Sequence, residues 1–399
     1  MMLAIPRNKP VIFLGICLLL SLLLAGCASV AAPAAPVEQP AQAPAEASAA
    51  EEPAADSSAS VSAEYNKIIE DSKNEKDGLL VYSIMSEKNW APVLEGFKAK
   101  YPWIEVSTAD LGAYEVFERY YTESAGKART GDMIITAAPD GWVKFAQKGE
   151  VQPYVSVEDA NIPELGKIDK GVYAVSTDPM VFVWNKALLP EPPKTMAELV
   201  SMIEAEPDKF AGKLVSYDAA GEGFGYGLNW YYTKAKGDEG WKTLEVIGST
   251  KPTILTSGGK MIDAVLSGEA VLGYFVSNIT VQPRLAEAGQ LLDYAFVPDA
   301  QLVVVRGMAV TKNATSPNSA KLLLDYILSS EGQLAFSKGG LTAYRADVAD
   351  QAPLHLAQVS KAVGGDQNLI FSRPEADIAD QAKHDEFIAR WQKALQLTQ

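Results

Sequence analysis

Apolar and polar positions alternate with two different periods along residues 79–147. The apolar run Leu79–Ser83 predicts a strand, and apolar residues then recur at helical spacing from Trp90 to Phe97. In order, the predicted elements are a strand at 79–83, a helix at 90–97, a strand at 104–108, a helix at 114–125, a strand at 132–136 and a helix at 142–147. This order predicts a parallel sheet with helices on both faces.

The second half of the chain continues the same alternation. Thr195 and Glu198 have the spacing of a capping box, which predicts the start of a helix. Further predicted strands cover 180–184, 213–218, 270–276, 302–305 and 308–310, and further helices cover 261–266 and 319–329. Residues 64–399 are too many for one small core, so we expect an α/β protein with two lobes.

Short polar residues stand at the ends of predicted strands in both halves of the chain. They are Ser83, Thr136, Asp218 and the pair Ser277 and Asn278. In open parallel sheets, ligands bind beyond the carboxyl ends of the strands. We therefore expect a ligand site to which both lobes contribute.

The first 63 residues have a different composition. Arg7 and Lys9 precede an apolar run, and Leu-Ala-Gly then leads into Cys27. We interpret 1–26 as a lipoprotein signal peptide and Cys27 as the lipidated residue, although an ordinary signal peptide or an uncleaved anchor is the alternative. Residues 27–63 are rich in Ala, Pro, Glu and Ser, which predicts a disordered tether.

Composition and charge exclude several classes of function. The chain has two cysteines, both within the first 27 residues, and two separate histidines, His355 and His384. We therefore predict no disulfide, no metal site, no cofactor and no enzyme activity, although carboxylates alone could act as acid and base. The net charge of −15 argues against nucleic acid as a partner.

Ordered blocks of the sequence resemble bacterial extracellular solute-binding proteins of the ferric-iron and phosphorylated-solute type. The blocks include "LLVYSIMSEKNWAPVLEGFKAKYPWIEVSTAD", "GDMIITAAPDGWVKFAQKGEVQPY", "SGEAVLGYFVSN" and "NSAKLLLDYILSSEGQLAFSKGGL", and the resemblance covers about residues 77–399. It implies a type II periplasmic-binding-protein-like fold, a Venus flytrap of two lobes with mixed, mostly parallel sheets. Lobe one would comprise 64–173 plus 298–340, and lobe two 174–297 plus 341–399.

The resemblance also implies a role and partners. A monomer, lipid-anchored to the membrane at Cys27 on its extracytoplasmic side, would capture a small solute and deliver it to the membrane subunits of an ABC permease. A lipoprotein that senses a ligand for a membrane kinase is the alternative of another class, because both would use the same cleft.

The prediction of the kind of solute depends on the sequence of one strand. Iron-binding members of the resembling family carry adjacent tyrosines after the strand that corresponds to 270–276, whereas this chain has Phe275 and Ser277 at those places. The pairs Tyr120-Tyr121 and Tyr231-Tyr232 fall in predicted helices, so packing is their expected role. We therefore favour an organic or phosphorylated anion over ferric iron, which stays the alternative.

Several residues are candidates for binding such an anion. Gly223, Phe224 and Gly225 lie between a predicted strand and helix, where backbone N–H groups can approach an anion, or they form a plain glycine-rich turn. Arg306 is the best-placed cation, and it pairs either with the ligand or with an acid nearby. The other candidates, which are otherwise expected to be helix caps, turn residues or core residues, are Ser83, Ser86, Tyr114, Thr136, Ala137, Asp178, Ser277 and Asn278.

Overall fold

The computed structural model describes residues 55–397, with side chains from residue 63. The predicted signal peptide and Cys27 lie outside these residues. The strands are β1 Leu79–Ser83, β2 Val106–Asp110, β3 Met133–Thr136, β4 Lys167–Asp169, β5 Val172–Asn185, β6 Leu214–Tyr217, β7 Thr253–Leu255, β8 Leu272–Ser277, β9 Leu292–Ala295, β10 Gln301–Val310 and β11 Leu369–Ser372.

The helices alternate with these strands. They are α1 Ala55–Ser72, α2 Glu87–Lys100, α3 Glu115–Ala125, α4 Pro139–Gln147, α5 Met196–Ala205, α6 Pro207–Phe210, α7 Gly223–Lys236, α8 Asp238–Ser249, α9 Gly258–Ser267, α10 Asn278–Ala288, α11 Pro317–Leu328, α12 Ser330–Lys338, α13 Leu356–Ala362 and α14 Gln381–Ala394. None of the helices described is both long enough and apolar enough to cross a bilayer.

The sheet joins two parallel groups of strands through an antiparallel centre. Its order is β2-β1-β3-β10-β5-β8-β6-β7. Strands β1, β2 and β3 are parallel to one another, as are β6, β7 and β8, while β5 and β10 pair antiparallel. The first half of β5 pairs with β10 and its second half with β8 and β9, so this buried strand runs from one group to the other.

Local sequence signals account for several boundaries. Thr195 Oγ1 accepts a hydrogen bond from the Glu198 amide at 3.0 Å, which caps α5 as the sequence predicts. Helix α9 ends at Gly268, whose φ of 79° suits the left-handed cap that glycine adopts without strain. The predicted strands 302–305 and 308–310 form one strand, β10, with a register shift between Arg306 and Gly307.

Helix α1 begins inside the range 27–63 that we interpret as a tether. Its Tyr65 hydroxyl lies 2.8 Å from the Tyr101 hydroxyl, and Ile68 is buried in the cluster around Trp90 and Phe97. An alanine-rich segment that gains an apolar face to pack can form a helix where composition alone indicates disorder. The residue ranges assigned to the tether and to the two lobes stay predictions.

Strand β8 contains an unusual backbone conformation. Phe275 has a φ of 56°, which is rare for a bulky residue. Val276 pairs with Val181 and Gly273 with Val183, so Tyr274 and Phe275 together oppose the single residue Phe182. This geometry defines a β-bulge at Tyr274 and Phe275, which ends two residues before the polar end of the strand at Ser277.

Candidate functional site

A cleft of about 590 Å³ lies at the carboxyl ends of β1, β2, β6, β7 and β8. Four of the twelve candidate ligand residues line it: Ser86, Phe224, Ser277 and Arg306. The other lining residues are Ile84, Lys88, Asn89, Asp110, Leu111, Gly112, Ala113, Tyr217, Glu222, Thr256, Ser257, Gly258, Gly259, Asp263, Ile279, Thr280, Pro283 and Arg284. They come from both parallel groups of strands.

Four helices begin at this cleft. The N-cap residues of α2, α7, α9 and α10 are Ser86, Glu222, Ser257 and Ser277, and all four line the cleft. Each helix directed at the cleft contributes a partial positive charge and backbone N–H groups. Convergent helix N-termini therefore favour negative charge in the cleft.

Arg306 lies at the base of the cleft and is almost completely buried. Its Nη2 atom donates to Asp178 Oδ2 at 3.1 Å, and its Nη1 atom donates to Ser176 Oγ at 3.3 Å. Its Nε is also buried and has no hydrogen-bond partner among the residues described. Arg306 thus pairs with a nearby acid, one of its two expected roles, and it also reaches the cleft.

Asp178 does not line the cleft but organises its base. The Ser277 hydroxyl donates to Asp178 Oδ2, and the Ile279 amide donates to Asp178 Oδ1 at 3.3 Å. The carboxylate therefore joins β5, β8, β10 and the first turn of α10 in one buried network. A buried guanidinium needs such a partner, because an isolated charge is costly to desolvate.

Other candidate residues make internal contacts and do not line the cleft. Ser83 Oγ accepts from the Trp90 indole at 3.0 Å, Thr136 Oγ1 donates to the Ala113 carbonyl at 2.8 Å, and Ala137 is a core residue. The Tyr114 hydroxyl donates to Asp140 Oδ2 at 3.1 Å, and burial raises the pKa of Tyr114. Asn278 Oδ1 accepts from Gln282 at 2.9 Å. These contacts agree with the capping and packing roles that were the alternatives.

Gly223 and Gly225 lie in the first turn of α7, not in a loop before it. A Cβ added to Gly225 would lie 2.1 Å from the Asp218 carbonyl oxygen, and one added to Gly223 would lie 2.4 Å from the Tyr114 ring. The glycines are therefore needed for close packing of the helix. Only Phe224 of this group lines the cleft.

The sequence interpretation missed two acidic residues of the cleft, Asp110 and Glu222, as binding candidates. Desolvation raises the pKa of both carboxyl groups, and the neighbouring carboxylate Asp218 raises that of Glu222 further. Neither forms an ion pair with a basic residue within the described part of the chain. Asp110 ends β2, so the strand-end rule would have identified it had the predicted strand not stopped at residue 108.

An aromatic pair forms part of the cleft wall. The rings of Tyr217 and Phe224 lie 4.8 Å apart in an edge-to-face arrangement. Burial raises the pKa of Tyr217, so its hydroxyl stays protonated near neutral pH. Tyr217 was also missed, because it ends a strand that is apolar along most of its length.

Charged residues near the mouth of the cleft form exposed pairs. Lys88 Nζ on α2 lies 3.2 Å from Glu287 Oε1 on α10, and Arg284 pairs with Asp263. The residues described contain no group of three or more His, Cys, Asp and Glu side chains that is arranged to hold a metal ion.

A cleft at the carboxyl ends of strands is where proteins with open α/β sheets bind their ligands. The family model for the bacterial extracellular solute-binding protein matches residues 93–362. The chain therefore belongs to this family. No curated protein matches it.

Solved structures agree with this assignment. The substrate-binding protein of an ABC transporter from Agrobacterium tumefaciens is 26% identical, with a TM-score of 0.72 over 80% of this chain and 95% of its own. Iron-bound HitA from Pseudomonas aeruginosa is 19% identical, with a TM-score of 0.60 over 79% of this chain and 99% of its own.

AfuA from Actinobacillus pleuropneumoniae, with bound fructose-6-phosphate, is 17% identical, with a TM-score of 0.64 over 80% and 99% of the two chains. The last two likenesses are evidence for the fold alone. Together the comparisons confirm the predicted family and the α/β, periplasmic-binding-protein-like fold. Proteins of this family act outside the cytoplasm, where they bind a solute and contact permease subunits.

Proposed function

We propose that this protein binds a small organic or phosphorylated anion in the cleft and delivers it to an ABC permease. The observation that carries the proposal is the position of Arg306, a buried cation at the base of a cleft on which four helix N-termini converge. The guanidinium of Arg306 and the first-turn amides of the helices supply donors for anionic oxygens. Closure around the solute would add contacts available only in the closed state.

The proposal includes a lipid anchor at Cys27, a monomeric state and the absence of enzyme activity. It places the protein on the outer side of the cytoplasmic membrane or at the cell surface. Membrane fractionation of cells expressing the full chain tests the anchor. We expect the protein in the membrane fraction and its Cys27→Ala variant outside it, and equal partition of the two would contradict lipidation.

Ferric iron is the second candidate. It is favoured by oxygen ligands in the cleft, because Asp110, Glu222 and Tyr217 are the hard donors that Fe(III) prefers. Against it, Phe275 is buried against the rings of Tyr232 and Tyr274 at the place where a tyrosine would be needed. A sensing role for a membrane kinase would use the same cleft.

Native mass spectrometry of the purified protein, followed by a thermal-shift screen, tests the kind of solute. The screen contains Fe(III), phosphate esters, phosphonates, carboxylates and polyamines. We expect phosphate esters or carboxylates to raise the melting temperature with increasing concentration. Stabilisation by Fe(III) alone, abolished by a chelator, would establish the iron alternative.

Arg306→Lys sharpens the screen, because it keeps a charge beside Asp178 but removes the guanidinium donors. We expect it to weaken anion binding by about tenfold or more. The matched control is Arg390→Lys on the exposed side of α14. Equal affinity of both variants for the anion would show that Arg306 does not bind it.

A separate measurement tests for enzyme activity. Recovery of the bound solute unchanged after incubation with the protein would argue against an enzyme.

A further inference from the structure

One part of the cleft carries carboxyl groups that form no ion pair with a basic residue in the described part of the chain. Glu222 lies against the loop after β2, where a Cβ on Gly112 would be 3.3 Å from its Oε1. Asp110, the exposed last residue of β2, precedes this loop and also lines the cleft. The carboxylates of Asp218, Glu115 and Glu118 add to the negative potential at Glu222.

The arrangement differs at the base of the cleft. There the guanidinium of Arg306 and the start of α10 lie beside Ser277, and the Tyr217 hydroxyl approaches the same residue. The pair Tyr217 and Phe224 connects the two parts, since Phe224 follows Glu222 by two residues in α7. The cleft therefore has a base formed by the buried ion pair of Arg306 and Asp178, and a wall whose carboxylates have no basic partner among the described residues.

A simple anion would use only one of these two features. Beside Asp110 and Glu222 it would meet like charges, which cost free energy in a partly desolvated site. A cationic group on the same molecule would turn that repulsion into a charge-assisted contact. The volume of about 590 Å³ is ample for a small molecule that spans both parts.

We infer that the solute is a zwitterion, with its anionic group at Arg306 and an ammonium or similar cationic group at Asp110 and Glu222. The inference rests on the proposed function, because it assigns the solute class of the same cleft. Its test differs from that of the proposed function, because the test measures only the contribution of the solute's cationic group.

Calorimetric titration of the full chain with matched probes tests the inference. The probes are phosphoethanolamine and 4-aminobutyrate, each paired with its amine-free counterpart, ethyl phosphate and butyrate. We expect at least one zwitterion to bind about tenfold or more tightly than its counterpart. Equal binding within both pairs, or no binding of either zwitterion, would overturn the inference.

Two substitutions locate the cationic group. Asp110→Asn and Glu222→Gln together should reduce the preference for the zwitterion over its amine-free counterpart to near unity. The matched controls are the exposed residues Asp208→Asn and Glu204→Gln, which make the same charge change away from the cleft. A preference that survives the first pair of substitutions would contradict the assignment.

The two proposals fail in distinguishable ways. Tight binding of ethyl phosphate or butyrate, with no gain in affinity from the amine, would support the anion-binding function. It would contradict only the inference that the solute is a zwitterion. Binding of neither member of either pair, together with stabilisation by Fe(III) alone, would remove both.

Discussion

Two buried carboxylates, Asp178 at the cleft and Asp325 on α11, show opposite solutions to the same problem. Asp178 accepts hydrogen bonds from Ser277 and the Ile279 amide and faces the guanidinium of Arg306. Asp325 accepts from the hydroxyls of Tyr154 and Ser156, which satisfy its oxygens without supplying a positive charge.

The difference appears in the electrostatics of Asp325. Desolvation raises its pKa to about 6, more than the two hydroxyl donors can offset. At Asp325, the hydrogen bonds alone therefore do not offset the cost of burying the charged carboxylate. The charged cleft base depends on a guanidinium, whereas the α11 site tolerates a proton. This contrast can be tested at both sites.

Removal of the cation from the cleft base should have the largest effect. Arg306→Met leaves Asp178 buried without its charged partner, so we expect the free energy of unfolding to fall by roughly 3–5 kcal/mol. Urea unfolding at pH 7 measures it, with exposed Lys361→Met as the control. Adding Asp178→Asn should recover part of the loss, and strictly additive effects would contradict the coupling.

The pH dependence of stability should report Asp325. Because folding raises its pKa, the stabilisation is complete below the unfolded pKa of about 3.9 and is lost as pH rises through about 6. We expect the wild type to lose up to about 3 kcal/mol across this window relative to Asp325→Asn. Unfolding curves at pH 4, 5, 6 and 7 measure the difference, and parallel pH profiles would refute it.

Ser277→Ala tests a single donor to Asp178. Loss of a hydrogen bond to a buried charged group should cost about 1.5–2 kcal/mol, less than loss of the guanidinium. The control is Ser267→Ala, whose exposed hydroxyl donates to the Ala264 carbonyl and accepts from the Glu269 amide, both local contacts at the end of α9. Chemical denaturation of both variants checks this, and an equal, small effect would show that the hydroxyl is dispensable.

The exposed pair of Lys88 and Glu287 should have the smallest effect. Both side chains are more than half exposed, at 71% and 56%, so their charges are already solvated. A double-mutant cycle to alanine should give a coupling below about 1 kcal/mol that disappears in 1 M salt. A larger coupling that resists salt would show that this contact between α2 and α10 is shielded from solvent.

Much of the fold could be predicted because periodicity is a local property. The elements around Leu79–Ser83, Thr195 and 319–329 lie close to their predicted places. The glycine-rich stretch after β6 was interpreted wrongly as preceding its helix. Gly223 and Gly225 are helical, because tertiary contacts with Tyr114 and Asp218 make close packing more important than helix propensity.

The site was harder to predict because its contacts join distant parts of the chain. Arg306 could be identified as a cation, but its pairing with Asp178 depends on the register of β5 and β10. Glu222 was recognised only as unfavourable for an anion beside it. Its position opposite the loop after β2 requires the folded chain, and no local pattern encodes it.

The conformation of Phe275 has a consequence for how strand β8 presents its end. Side chains alternate between the two faces of a strand, so one additional residue exchanges the faces of all residues that follow. With the bulge, Ser277 pairs with Met180 and shares the face of Asp178; without it, Ser277 would oppose Pro179 and turn away. The contact between β8 and the cleft base therefore depends on the number of residues in the strand as much as on their chemistry.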